Sequence, residues 1–172
     1  LYHYGGVYLD TDVELIKDIT PLLGENFMGF EGYDRVASGL IMHAEVGTPF
    51  LKEVLDYYDA IKEDETIIEN VTVVSIVTEL LKKHGLVSDD KMQNVAGFRI
   101  YPSEYFNPKG GEYGKDKITD NTYSIHHYLA SWKSPIDRKI MEYRVKYGNK
   151  KGKFIFAIRH PFLAIKKITG KA

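Results

Sequence analysis

Residues 4–12 read YGGVYLDTD, and the fold of the chain is best worked out from this stretch. Val7, Tyr8 and Leu9 form a short β-like run that leads directly into Asp10 and Asp12. Side chains two apart on an extended segment point the same way, so the two carboxylates can converge on one ligand. Such carboxylates are hard oxygen ligands, suited to Mg²⁺ or Mn²⁺ bound together with a substrate diphosphate. The stretch therefore predicts a strand that ends in a divalent-metal site.

A second cluster of polar and aromatic residues, SIHHYLASWK, follows more than a hundred residues later at 124–133. A histidine at the end of a strand, His126 or His127, can supply a nitrogen ligand to the same ion. Groups suited to a departing diphosphate come next: Ser131, Trp132 and Lys133. The alternative is that Trp132 covers the core, that the histidines are surface residues and that the aspartates lie on a solvated loop. Only the combination of the two clusters favours a functional site.

The rest of the chain alternates strand-like and helix-like patterns, which predicts an α/β layer fold. Strands are predicted at 7–9, 27–31, 36–43, 98–101 and 122–127, with an extended or turn segment at 13–19. Helices are predicted from Thr48-Pro49 to residue 61, at 69–84 and at 137–147. A turn-rich loop is expected at 103–120. A basic linker at 148–153 is expected to lead to one last amphipathic helix.

The composition is that of an ordinary globular domain, with 44% hydrophobic and 27% charged residues. Cysteine is absent, which excludes disulfides, thiolate zinc sites and cysteine nucleophiles and suits a reducing compartment. The first four residues, LYHY, resemble the last turn of a helix stopped by Gly5 and Gly6. Because no signal peptide is recognisable and the chain opens in mid-element, we expect a fragment or a trimmed domain.

Charge is distributed unevenly along the chain. Residues 133–172 hold 12 Lys and Arg against two Asp and Glu, whereas residues 1–132 hold 11 against 22. A basic tail of this kind predicts an acidic partner, and an anionic membrane surface is favoured over nucleic acid. Residues 154–167 mix apolar and basic side chains, as membrane-surface helices do. The alternative, that this helix packs on the domain, is equally compatible with the sequence.

Taken together, these segments resemble a known enzyme family. Residues 1–15 are similar to the DXD signature L-Y-x-Y-G-G-[IV]-Y-L-D-x-D of glycosyltransferase family 32. That family includes bacterial capsule and lipopolysaccharide sugar transferases and fungal initiating mannosyltransferases. Residues 126–133 resemble the H-H-x-x-x-S-W element of its bacterial members, and IYPSEYFNP at 100–108 resembles their I-Y-P-x-x-Y-F-x-P stretch. The resemblance covers residues 1–135, and 136–172 are expected to form a basic helical extension.

The resemblance implies a GT-A fold and a metal-dependent hexosyltransferase that retains anomeric configuration. The cofactor would be Mn²⁺ (or Mg²⁺), the donor a UDP- or GDP-sugar, and the acceptor a glycan or a lipid-linked sugar in capsule or surface polysaccharide synthesis. No nucleic acid partner is implied. The expected location is the cytoplasm, with a peripheral position on the inner face of the plasma membrane. The family's nucleotide-binding half precedes the DXD stretch, so the N-terminal part of the catalytic domain is expected to be missing.

The resemblance also implies roles for individual residues. Asp10 would contact the donor's ribose and sugar, and Asp12 would bind the metal directly. His126 or His127 would complete the metal's protein ligands, with His127 favoured. Tyr8 would line the donor pocket. The diphosphate would be bound by Ser131 and Trp132, with Lys133 as a further cation. Phe30-Glu31 and Ser38-Gly39 lie at predicted strand ends near the expected acceptor cleft.

Two other functions are compatible with the same residues. Residues 7–13, VYLDTDV, also fit the strand-D-x-D-x-[TV] nucleophile motif of haloacid-dehalogenase-type phosphatases, in which the first Asp attacks phosphorus. That fold requires an uninterrupted strand before the motif, which Gly5-Gly6 breaks, and a late acidic pair, for which Asp89-Asp90 is a poor match. The other alternative is a truncated transferase that acts only as a non-catalytic binding module.

Overall fold

The structure is a computed structural model that describes residues 1–32, 34–62, 71–108, 117–129 and 134–169. These residues form two compact units, and the chain passes from the first to the second after residue 127. The first unit contains a mixed sheet with helices, so the predicted α/β class is confirmed. The described part of the second unit is helical.

The strands of the first unit are short. They are β1 Gly6–Tyr8, β2 Val13–Leu15, β3 Phe27–Gly32, β4 Arg35–Val36, β5 Met42–Ala44, β6 Gln93–Val95, β7 Phe98–Tyr101 and β8 Ser124–His126. The helices that the structure describes in this unit are α1 Pro49–Ile61, α2 Val73–Lys83 and α3 Ser103–Phe106, with a 3-10 turn at Thr20–Leu22. The main sheet has the order β1-β5-β3-β7-β6, and β4 also pairs with β3. Among the strands that the structure describes, β3 and β7 pair in parallel and the others pair antiparallel.

A separate two-stranded sheet joins distant parts of the chain. Strand β2 pairs antiparallel with β8 in a register that places Val13 opposite His126 and Leu15 opposite Ser124. The strand after the two aspartates is therefore held beside the strand that carries the histidines. This pairing brings the two polar clusters of the sequence together.

The core forms where the amphipathic helices cover the main sheet. On α1 the buried positions are Phe50, Leu51, Val54 and Ile61, and on α2 they include Ile76, Val77, Leu80 and Leu81. These side chains pack with Met28 and Phe30 of β3 and with Phe98 and Ile100 of β7. Each such side chain contributes about 1.5–3 kcal/mol by leaving water. The 3.6-residue period places Phe50, Leu51, Val54, Leu55, Tyr58 and Ile61 on the apolar face of α1. Four of these are buried, whereas Leu55 and Tyr58 are 42% and 37% exposed.

Several predicted elements differ from the structure. The single strand expected at 36–43 is two strands, because residues 38–40 leave the sheet in a turn. A hairpin through Ala96 and Gly97, both with positive φ, adds the unpredicted strand β6. The loop expected at 103–120 contains α3. Helix α2 begins later than predicted because Thr72 and Ser75 form a capping box.

The second unit contains α4 Pro135–Tyr147, α5 Asn149–Arg159 and α6 Pro161–Thr169. The predicted linker at 148–153 is wrong, since only Gly148 separates α4 from α5. The single final helix is also wrong, because Pro161 has no N–H and disfavours a helical residue before it. His160 accordingly leaves the helical region with φ −133° and ψ 59°. Within the residues described, no helix is both long and apolar enough to cross a membrane.

Candidate functional site

The backbone of the Asp-Thr-Asp stretch is held from two sides. On one side, the Asp10 N–H donates to the carbonyl of Gly39 at 2.8 Å. On the other, the N–H of His127 donates to the carbonyl of Asp12 at 2.9 Å. A third bond, from the Val13 N–H to the Asp10 carbonyl at 3.1 Å, closes the turn between them. The two carboxylates therefore lie on a backbone that the main sheet and the β2–β8 pair both position.

Gly39 makes room for the side chain of Asp10. A Cβ built on Gly39 would lie 2.4 Å from Asp10 Oδ2 and 2.9 Å from Asp10 Cγ, well inside van der Waals contact. No side chain larger than hydrogen fits there while Asp10 keeps its position. The turn that interrupts the predicted 36–43 strand thus brings a glycine against the carboxylate. Ser38-Gly39 was predicted to lie near the acceptor cleft, but the close packing of Gly39 against Asp10 was not predicted.

Asp10, Asp12 and His126 form a cluster that could hold a metal ion. One ligand atom from each lies within 4.8 Å of the others, and His126 Nε2 is 3.1 Å from Asp12 Oδ1. Bonds of about 2.1 Å place two ligands on one ion at most about 4.2 Å apart, so small side-chain rotations would complete the site. Two carboxylates with one imidazole can coordinate a divalent cation such as Mn²⁺ or Mg²⁺. The donor set therefore fits the expected cofactor.

The two adjacent histidines have different partners. His126 faces Asp12, and the side chains of both are largely buried, with 13% and 18% exposed. His127, the residue favoured from the resemblance, instead places its Nε2 2.8 Å from Glu14 Oε2 and is more exposed. The register pairs Glu14 with Ile125, so His127, two residues further on, lies on the Glu14 face and His126 lies on the other face. Asp12 precedes β2, in the turn closed by the hydrogen bond from Val13 N–H to the Asp10 carbonyl, and from this turn its side chain reaches His126. The structure thus brings His126, and not His127, to the aspartates.

Tyr8 contributes a hydroxyl next to the cluster. Its Oη donates to Asp10 Oδ1 at 2.9 Å. This hydrogen bond, together with partial burial and the negative charge of Asp10, raises the pKa of Tyr8 above its ordinary value. At neutral pH Tyr8 is therefore a neutral donor that orients the Asp10 carboxylate.

A cleft of about 500 Å³ opens beside these residues. Its polar end is lined by Tyr8, Asp10 and His126, together with Glu31 and Ser38. Its remaining walls are mostly apolar and include residues from the start of the chain, β5, α1 and α2. Glu31 and Ser38-Gly39, which the sequence placed near an acceptor cleft, thus line the same cavity as the first aspartate. Such a cleft has the size and the mixed lining of a small-molecule site.

The remaining predicted residues divide into two groups. Ser131, Trp132 and Lys133 lie outside the described residues. Asp89 and Asp90, considered as the late acidic pair of a phosphatase, do not line the cleft. The Asp90 carboxylate instead accepts bonds from the N–H and hydroxyl of Ser103, both at 2.7 Å. The phosphatase alternative is not favoured, because its acidic pair is engaged elsewhere in the fold.

Comparison with known proteins points to sugar transfer. Residues 1–28 match a family model described as glycosyltransferase sugar-binding region containing DXD motif, and this match includes both aspartates. An uncharacterized protein of Arabidopsis thaliana is 34% identical over 112 residues. The aligned region is 63% of this chain and 16% of that protein, so the chain spans a small part of its relative's length. No solved structure shows significant similarity to the chain.

Proposed function

We propose that this chain is the DXD-containing part of a metal-dependent glycosyltransferase with a GT-A fold. It would transfer a hexose, with retention of configuration, from a UDP- or GDP-sugar to a glycan or lipid-linked acceptor. The observation that carries the proposal is the cluster of Asp10, Asp12 and His126, of which Asp10 and His126 line the cleft. The match of residues 1–28 to a DXD sugar-binding region supports it.

In this proposal Asp12 and His126 hold the cation, and Asp10 binds it or the donor sugar beside it. A bound divalent cation supplies positive charge that stabilises the nucleoside diphosphate leaving group. The chain's own residues position the reactants. Tyr8 keeps the Asp10 carboxylate oriented through its 2.9 Å hydrogen bond, and Gly39 leaves space for that carboxylate. Because retaining transfer can pass the acceptor's proton to the leaving phosphate, the proposal requires no separate protein base.

Two polar residues that line the same cleft as Asp10 support an acceptor site there. Glu31 and Ser38 line the cavity and present a carboxylate and a hydroxyl, which are the groups that bind sugar hydroxyls. The apolar walls would contact the faces of sugar rings. We propose that the donor sugar lies near Asp10 and that the acceptor enters along Glu31 and Ser38.

Calorimetric titration of Mn²⁺ into the whole chain tests the metal site. We expect saturable binding that Asp12→Asn abolishes and that His126→Ala weakens by at least about tenfold, the scale of losses at metal sites. His127→Ala is the matched control, because it removes the adjacent imidazole from Glu14, and we expect it to change Kd by less than about threefold. Equal losses in both histidine variants, or a loss only with His127→Ala, would contradict the assigned ligands.

Titration of UDP-sugars and GDP-mannose in the presence of Mn²⁺, repeated with EDTA, tests the function. We expect the sugars of one nucleotide, either UDP or GDP, to bind only when metal is present. We expect the Asp12→Asn variant to bind neither UDP-sugars nor GDP-mannose. Donor binding that is unaffected by both EDTA and Asp12→Asn would overturn the proposal even if Mn²⁺ binds. The metal site and the transferase function are thus tested separately.

A further inference from the structure

The second unit exposes an unusual amount of apolar surface for its size. Phe154 and Ile158 of α5 are 67% and 63% exposed, and Phe162 and Ile168 of α6 are 86% and 85% exposed. Ile165 of α6 is also exposed. Scattered single exposed apolar side chains are normal on proteins, but here five large ones fall within 15 residues of sequence. This feature indicates a surface that contacts something apolar.

These side chains are exposed because the opposite faces of α5 and α6 contact α4. On α5, Phe156 is buried against the ring of Tyr143 of α4, at a centroid distance of 5.7 Å. Gly152, one turn earlier, approaches the backbone of α4 so closely that a Cβ would lie 2.3 Å from the Tyr143 carbonyl oxygen. Phe154 and Ile158, which are four residues apart, lie on the other side of α5. Their exposure therefore follows from the way α5 packs on α4.

Helix α6 also contacts α4, through an ion pair. Lys167 pairs with Asp137 of α4 at 2.8 Å, so the Lys167 side of α6 faces α4. Phe162 lies about 140° away from Lys167 around the helix, since each residue advances the helix by about 100°. Its high exposure agrees with this placement. The outer faces of α5 and α6, away from α4, thus both present large apolar side chains.

Lysines border the same apolar faces. Lys150 and Lys151 lie one turn before Phe154 on α5, and Lys166 lies one turn after Phe162 on α6; all three are exposed. Residues 134–169 carry ten Lys and Arg against two Asp and Glu. Helices that combine exposed Phe and Ile with bordering lysines bind the interface of anionic bilayers, with the apolar face below the headgroups and the lysines among them.

We propose that the outer surface of α5 and α6, defined by Phe154, Ile158, Phe162, Ile165 and their bordering lysines, binds an anionic lipid bilayer. Charge complementarity selects this occupant, since a protein partner for such a surface would have to be both apolar and strongly acidic. At 11 and 9 residues, the helices are long enough to lie in the interface, about 14–17 Å each. The proposal concerns the second unit and does not depend on the transferase function of the first.

Co-sedimentation of the whole chain with vesicles tests the proposal. We expect binding to vesicles of equal parts phosphatidylcholine and phosphatidylglycerol, little binding to pure phosphatidylcholine, and weakening as salt rises. Phe154→Ser combined with Phe162→Ser should lower the partition constant by about tenfold or more, because two large apolar groups lose their burial. Lys151→Glu combined with Lys166→Glu should lower it to a similar extent on anionic vesicles only.

The matched control is Val46→Ser combined with Val87→Ser, which removes two exposed apolar side chains of the first unit, 66% and 59% exposed. We expect this variant to bind vesicles as the unchanged chain does. Circular dichroism should show that all variants keep their helix content, because every substituted residue is exposed. Equal binding by the Phe154/Phe162 variant, or an equal loss in the control, would overturn the proposal. So would size-exclusion data showing that the surface instead pairs two copies of the chain and leaves anionic vesicles unbound.

Discussion

At the scale of single residues, the site depends on one carboxylate and the groups that hold it. Asp10 receives a hydrogen bond from Tyr8 and donates its N–H to the Gly39 carbonyl, and its carboxylate occupies the space that a Cβ on Gly39 would need. The aspartates and the two candidate histidines were identifiable from the sequence, because their residue types and spacing suit a metal. The choice of His126 over His127 was not, because it depends on which face of β8 meets Asp12.

Gly39→Ala is expected to weaken Mn²⁺ binding without unfolding the chain. The new methyl group would lie 2.4 Å from Asp10 Oδ2, so the carboxylate must move away from the cluster. A displaced or reoriented group at a metal site costs about 10- to 100-fold in affinity. Calorimetric titration of Mn²⁺ measures this loss, and thermal unfolding in EDTA separates it from a general loss of stability.

Gly24→Ala is the control for this substitution. A Cβ on Gly24 meets no atom within 4 Å, so the variant changes the same residue type without a new contact. We expect its Mn²⁺ affinity to stay within about twofold of the unchanged chain. If Gly39→Ala binds Mn²⁺ as tightly as Gly24→Ala does, the close contact with Asp10 has no role in the site.

At the scale of elements, the first unit was predicted more accurately than the second, where the expected linker and single final helix are two helices. The amphipathic pattern of α1 identified its four buried residues, because burial on a helix follows the 3.6-residue repeat, but it also included Leu55 and Tyr58, which are exposed. The strands here are two to six residues long, too short for an alternating pattern to define their ends. The 36–43 prediction was wrong for this reason. The apolar residues of that segment are buried even where the backbone turns, so hydrophobicity alone could not reveal the break.

Thr72→Ala is expected to destabilise the first unit by about 1 kcal/mol, the usual cost of losing an N-cap side chain. The Thr72 hydroxyl accepts the Ser75 N–H at 3.1 Å, and the Ser75 hydroxyl accepts the Thr72 N–H at 2.9 Å. Urea denaturation followed by circular dichroism measures the change in the free energy of unfolding. Thr72→Ser keeps the capping hydroxyl and should retain most of that stability. A loss as large in Thr72→Ser would show that the methyl group, and not the cap, is responsible.

At the scale of the whole molecule, the chain combines an α/β unit that carries the metal cluster with a helical unit that carries the basic and apolar surface. The charge asymmetry along the sequence matches this division, since the excess of Lys and Arg falls almost entirely in the helical unit. Because the two proposed sites lie in different units, each can be altered without changing the residues of the other.

Mn²⁺ is expected to raise the unfolding temperature of the α/β unit. A ligand that binds only the folded state stabilises it by about 2.7 kcal/mol at a concentration 100 times its Kd. Differential scanning calorimetry with Mn²⁺, followed by removal of the metal with EDTA, measures this effect and its reversal. Asp12→Asn should unfold at the same temperature with and without Mn²⁺. An equal shift in that variant would indicate nonspecific binding elsewhere on the chain.

The sequence by itself determined the α/β class, the two amphipathic helices of the first unit and the residue types of the candidate metal site. These follow from local properties: periodicity, the chemistry of carboxylate and imidazole groups, and the spacing of two aspartates on an extended segment. Only the tertiary structure decided which histidine meets the aspartates and why Gly39 is a glycine. Both depend on contacts between residues far apart in the chain, and a one-residue shift in the β2–β8 register would exchange the faces on which His126 and His127 lie.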